Sequence, residues 1–210
     1  MVVVYVRRCV LMGLSGRREG KLILTGVGGQ GLITMGRALG EALLLEGYKV
    51  RIAEVHGLAQ RGGSVVVHVK YSGDEIGPTV SPGEADAVVA LEIIEGARAL
   101  TFLKEGGLLL LNDILIPPVG AKQVPEKEEL LSFLRKNGVR YSLVKATEKA
   151  REVGSTLFTN AVMLGVAFEA GLIPVSERNI EFAVKKAFRR KTELNLAAFR
   201  EGRKLWREKR

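Results

Sequence analysis

The chain has 210 residues, of which 47% are hydrophobic and 26% charged, and a formal net charge of +9. That length suits one α/β domain with an adequate core, and those proportions exclude a disordered chain and a membrane-spanning one. The longest apolar runs, such as Leu108 to Leu111, are far too short to cross a bilayer and read as buried strands.

At the N-terminus, Met1 to Val6 is apolar, Arg7 and Arg8 follow, and Cys9 to Leu14 is apolar again. The charges sit between the apolar pieces and no small-residue cleavage site follows, so a secretory signal fits poorly. Residues 1–20 read as an extension without assigned function, Met12 being an alternative start, and residues 21–210 as a single domain. Cys9 is the only cysteine, which excludes an internal disulfide and any iron–sulfur cluster held by this chain alone. With His56 and His68 the only imidazoles, no ordinary zinc site is expected. This cysteine usage points to the cytoplasm.

Lys21 to Thr25 reads as a strand ending at glycines, and Leu32 to Glu46 as a helix with Leu32, Met35, Leu39 and Leu43 on one face. Lys49 to Val55, Ser64 to Tyr71 and Ala85 to Leu91 read as further strands. A helix to about Lys104 is expected next, stopped by Gly106 and Gly107, with Leu108 to Leu111 as another strand. Pro117 and Pro118 open an irregular connection, Pro125 begins a helix to about Lys136, Gly138 ends it, and Val139 to Val144 is a strand. The remainder is helical, over about 147–152, 156–170, 176–190 and 193–207. Alternating strands and helices predict a Rossmann-like α/β fold: a mostly parallel sheet with helices on both faces and a helical C-terminal segment. From Arg178 to Arg210 there are twelve Lys or Arg against four Glu, opposite an apolar stripe that includes Ile180, Val184 and Phe188. A solvated helix face accounts for this charge more simply than nucleic acid or a membrane; an acidic redox protein is the anionic partner that steering by charge would suit.

Gly26-Val27-Gly28-Gly29-Gln30-Gly31 fits GxGxxG between a predicted strand and a predicted helix. Such glycines let the backbone approach a ligand closely while free amides at the helix start attract phosphate or carboxylate; they serve equally for strand-to-helix packing alone. Glu54, twenty-three residues beyond Gly31, offers a ribose-binding acid, so an NAD-dependent enzyme is one reading. The segment Glu54-Val55-His56-Gly57-Leu58-Ala59-Gln60-Arg61-Gly62-Gly63-Ser64 begins where the second strand should stop, at the same carboxyl edge. Its His, Gln, Arg and Ser exceed what a dehydrogenase needs and suit a site for an anionic group.

Together these two segments closely resemble the gamma domain of 2-oxoacid:ferredoxin oxidoreductases, and the wording of the second is most similar to the indolepyruvate beta subunit. Gly83-Glu84-Ala85-Asp86, Asn160 with Leu164-Gly165, and Lys191, Glu193, Asn195, Phe199 and Gly202 also look like that family, so the resemblance runs from about Lys21 to Arg203. It implies an enzyme subunit inactive alone. A large alpha subunit would carry thiamine diphosphate and the iron–sulfur clusters, in a heterodimer or heterotetramer that passes electrons to ferredoxin with coenzyme A as cosubstrate. Another gamma subunit of the same family is the neighbouring alternative. The expected binding or site-completing residues are Gly26, Gly28, Gly29, Gln30, Gly31, Glu54, His56, Gly57, Gln60, Arg61, Gly62, Gly63 and Ser64, with Asn112 and Asn160 behind them; no residue is assigned a catalytic role and none a metal. Arg61 suits an anion contact or an ion pair with Glu54, His56 a ligand hydrogen bond or one to its own loop. Gln30 and Gln60 suit a ligand or a brace between loops, and Asn112, Asn160 and Asn195 suit caps and turns better than ligands.

Overall fold

Six strands, β1 (Glu19–Val27), β2 (Lys49–His56), β3 (Ser64–Ser72), β4 (Ala85–Ala90), β5 (Leu103–Asn112) and β6 (Tyr141–Val144), form one sheet in the order β2-β3-β1-β4-β5-β6. The computed structural model describes residues 19–57, 62–74, 77–118, 120–121 and 123–209, so all but the last two residues of the N-terminal extension lie outside the described residues. Glu19 and Gly20 already belong to β1. β1, β4, β5 and β6 are parallel neighbours, while β3 runs antiparallel to both β1 and β2. Five strands therefore point one way and β3 alone points back, which makes the sheet mixed within its mostly parallel plan.

Seven helices, α1 (Leu32–Leu45), α2 (Ile93–Arg98), α3 (Lys127–Lys136), α4 (Ala146–Val153), α5 (Thr159–Glu169), α6 (Glu177–Ala187) and α7 (Thr192–Glu208), are described. One face of the sheet, with Leu22, Leu24, Val67, Val89 and Leu110, packs on apolar residues of α1 and α4 to α7. The opposite face, with Ile23, Val88, Leu109 and Leu111, is covered over β4 and β5 by Leu131 and Leu134 of α3 and by Ala99 after α2. Central strands buried on both faces read as continuous apolar runs, which is why Leu108 to Leu111 was legible as a strand.

α1 approaches the sheet through small residues. A Cβ added at Gly40 would stand 2.6 Å from Ile52 Cδ1 of β2. α5 is buried from Thr159 through Ala167, with α1, α4 and α7 packed around it. The basic C-terminal helices are tied by ion pairs: Arg200 to Glu181 at 2.7 Å, Arg203 to Glu169 at 2.9 Å, and Arg207 to Glu169 at 2.7 Å. No helix among the described residues is long and apolar enough to cross a membrane.

One expectation changes. The helix after β4 ends at Arg98, a 3₁₀ turn follows over Ala99–Phe102, and β5 begins at Leu103. Gly106 and Gly107 lie inside this strand, where Ala85 pairs with Leu103 and Ala87 with Leu108, so the two glycines absorb a register shift and stop no helix. Gly106 has φ 71°, the left-handed conformation such an irregularity uses. An apolar pattern broken by two glycines reads alike as a helix stop or a bulged strand, and pairing with β4 decided it.

Candidate functional site

The strands that share one direction end together, so the connections after β1, β2, β4, β5 and β6 and the entry to β3 share the carboxyl rim of the sheet. β1 ends at Val27 opposite Ser64 of β3, and the ladder continues past both strands. The Gly28 amide donates to Gly63 O at 2.8 Å, and the Gly62 amide to Gly28 O at 3.3 Å. The two glycine-rich segments are thus one hydrogen-bonded unit. Gly29 at φ 104°, Gly31 at 78° and Gly62 at 75° all adopt conformations costly for a side chain.

Gly31 opens α1 in the left-handed region, and no side chain caps that helix. Its first-turn amides are of the kind that attract anions. Asn160, in the first turn of α5, donates from Nδ2 to Gly31 O at 3.1 Å, while its Oδ1 accepts the Ala161 amide at 2.9 Å. Gln30 turns its side chain inward: Oε1 accepts the Val27 amide at 2.7 Å and Nε2 donates to Leu91 O at 3.2 Å. A Cβ at Gly26 would stand 2.5 Å from that Oε1, so Gly26 makes room for the Gln30 side chain.

Asn112, fully buried at the end of β5, donates to the same Leu91 O at 3.0 Å and to Thr147 Oγ1 at 2.8 Å, and accepts the Thr147 amide at 3.1 Å. Gln30, Asn112 and Asn160 therefore use their amides to brace the rim. Asn195 does similar work away from it, donating to Arg190 O and Lys191 O.

The second segment is placed at its two ends. Glu54, His56 and Gly57 are exposed, and His56 Nδ1 lies 3.2 Å from Gly57 O, a hydrogen bond in the tautomer protonated at Nδ1. Gln60 and Arg61 lie outside the described residues, as do Leu58 and Ala59. Glu54 pairs with Val67, which pairs with Leu24, so it stands two strands, about 10 Å, from β1 and level with a residue three short of that strand's end. A ribose-binding acid follows the strand beside the glycine-loop strand, and here β3 occupies that place.

Two acidic residues at the rim were not singled out from sequence. Glu92 and Glu95 are both buried, immediately after β4. Glu92 caps α2 by accepting the Glu95 amide, and its other oxygen accepts the Ile116 amide at 3.3 Å. Glu95 accepts the Ser64 hydroxyl on one oxygen and Arg98 Nη1, at 2.6 Å, on the other. Burial pushes the Glu92 carboxyl above the usual carboxylate range, against three backbone amides that favour its charge and with Glu95 adding repulsion. The available signal was two glutamates three apart within Leu91-Glu92-Ile93-Ile94-Glu95, charges placed in an otherwise apolar stretch.

Lys191 is the one non-glycine residue with positive φ among the described residues, at 55°, and its ammonium lies 5.9 Å from the centre of the Phe158 ring, just before α5.

A family model described as pyruvate ferredoxin/flavodoxin oxidoreductase matches residues 21–205. Indolepyruvate oxidoreductase subunit IorB of Thermococcus kodakarensis is 36% identical over 197 residues, 91% of this chain and 98% of its own. The Archaeoglobus fulgidus protein of the same name is 39% identical over 186 residues, 86% of this chain and 92% of its own. The keto/oxoacid ferredoxin oxidoreductase gamma subunit from Geobacter sulfurreducens has a TM-score of 0.65 at 26% identity, over 90% of this chain and 99% of that one.

Proposed function

Since the chain belongs to the pyruvate ferredoxin/flavodoxin oxidoreductase family, we propose that it is the gamma-type subunit of an indolepyruvate:ferredoxin oxidoreductase, completing an active site on a larger partner subunit. The observation that carries this reading is the near full-length similarity to two indolepyruvate oxidoreductase subunits, 98% and 92% of whose lengths are matched. The joined glycine turns at the rim supply the physical counterpart.

Iron–sulfur clusters do not fit this chain. Cys9 is its only cysteine, and among the described residues no three His, Cys, Asp or Glu side chains gather as a metal site. These clusters and thiamine diphosphate are assigned to the partner, where thiamine diphosphate supplies the decarboxylation chemistry. The residues here bind and orient. The uncapped start of α1, directly after the Gly28–Gly31 turn, attracts an anionic group of the oxoacid or of coenzyme A. His56 at the end of β2 and Arg61 in the segment that follows would add hydrogen-bond donors for such a group, and a guanidinium pairs two oxygens of a phosphate or carboxylate at once. Gln30, Asn112 and Asn160 hold the turns in place from behind. A rigid turn loses little freedom on binding, so its amides contribute more fully to orienting a ligand.

The test is reconstitution. The chain alone is expected to show no indolepyruvate-dependent dye reduction in the presence of coenzyme A, and adding it to the large subunit is expected to restore that activity. Full activity of the large subunit by itself would refute the proposal. Replacing indolepyruvate with pyruvate or 2-oxoglutarate in the same assay separates this reading from a sister gamma subunit.

A further inference from the structure

The junction between β4 and α2 holds several parts of the rim together. Leu91 O accepts both Gln30 Nε2 from the first turn and Asn112 Nδ2 from the end of β5. The Leu91 amide donates to Thr25 O at 2.8 Å, and the Ile93 amide to Ile114 O at 3.0 Å. Glu92 takes the Ile116 amide. Only the return of the second segment is held by a side chain alone from this junction: Ser64 Oγ donates to Glu95, thirty-one residues away in sequence. Glu95 is itself fixed by Arg98 and, through its own amide, by Glu92.

Burying a carboxylate is costly unless its oxygens are occupied. An apolar side chain at this position would pack against the same neighbours without that cost. The acid is therefore better explained by what it holds than by what it adds to the core.

We propose that Glu95 is a positioning residue for the proposed reaction, acting through the Ser64 hydroxyl to fix the Gly62–Ser64 return against the Gly28 turn. This rests on the reading that the rim completes the partner's pocket. Ser64 is the exposed first residue of β3, and Gly62 and Gly63 directly before it make the two backbone bonds to Gly28. Releasing Ser64 loosens both bonds, and with them the turn that leads into the uncapped start of α1, which meets the anionic cosubstrate. Such a loss raises KM more than it lowers kcat, since the groups that react lie on the other subunit.

The experiment uses the assembled complex with Glu95→Ala, Glu95→Gln, Ser64→Ala and the Glu95→Ala/Ser64→Ala pair, assayed with indolepyruvate and varied coenzyme A. Glu95→Ala and Ser64→Ala are each expected to raise KM for coenzyme A about tenfold, with kcat within about threefold of wild type. The double variant should be no worse than Glu95→Ala alone, as expected for one interaction removed twice. Glu95→Gln, which keeps a hydrogen-bonding partner for the hydroxyl, should restore KM to within about twofold. An unchanged KM in Ser64→Ala, multiplying effects in the double variant, or Glu95→Gln as damaging as Glu95→Ala would each overturn the proposal. A parallel arm needs no partner: in the isolated chain, Ser64→Ala should accelerate hydrogen exchange at the Gly28 and Gly62 amides and leave those of β4 unchanged. If wild type fails to reconstitute activity, the functional reading falls and the exchange arm still decides the latch. If Glu95→Ala does not fold, Ser64→Ala, which removes one surface hydroxyl, carries both arms.

Discussion

Gly31 shows how a single residue serves two neighbours at once. Its φ of 78° excludes an ordinary side chain, and a Cβ there would overlap Nδ2 of Asn160, the atom that bonds Gly31 O. Gly31→Ala is expected to cost about 2 kcal/mol from backbone strain and the displaced amide together, read as a lower urea midpoint at unchanged m-value. Asn160→Ala should lose less, about 1 kcal/mol, since it removes the bond without straining the turn. The glycines at 26, 28, 29 and 31 were visible in the sequence as a motif. Why the fourth must be glycine was not, because Asn160 is 129 residues away.

At the scale of elements, the contact of α5 with α7 is closer than side chains normally permit. A Cβ at Gly165 would overlap Phe199 O, and one at Gly202 would overlap Val162 O, so each helix presents a glycine to the other's backbone. Gly165→Ala forces the helices apart and is expected to destabilise by about 3 kcal/mol, enough to lower the thermal midpoint by several degrees in a scan. α5 was legible as a helix from its length, yet its burial from Thr159 through Ala167 was not. Periodicity reports a buried face only when another face meets water, and α5 has none. The misread boundary before β5 has the same origin, since local pattern cannot see the strand alongside.

For the molecule as a whole, two buried groups set opposite responses to pH. His68 is held neutral: burial lowers its pKa from 6.5, and its Nδ1 accepts the Val80 amide at 3.2 Å. The unfolded chain thus binds a proton that the folded one refuses, so this contribution to stability is complete above pH 6.5 and is lost as pH falls through the lower folded value. Glu92, with its pKa raised above 4.5, acts in the other direction: its contribution is complete below pH 4.5 and is lost as pH rises through the folded value. His68→Gln, which keeps an acceptor for Val80, is expected to flatten the decline in stability between pH 6.5 and pH 5, measured as urea midpoints at several pH values. An unchanged slope would remove His68 as its source.

The sequence by itself determined the α/β plan, the sites of most strands and helices, the family, and the two glycine segments, because each is written in local spacing and in residues close along the chain. Only the tertiary structure decided that β3 turns back between β1 and β2, which moves Glu54 away from the glycine loop. It alone also decided that Gln30, Asn112 and Asn160 face inward as braces and that Glu92 and Glu95 gather the rim. The physical reason is one of range. A hydrogen bond across 31 or 129 residues has no period or motif to announce it, and it exists only once the sheet has brought those strand ends together.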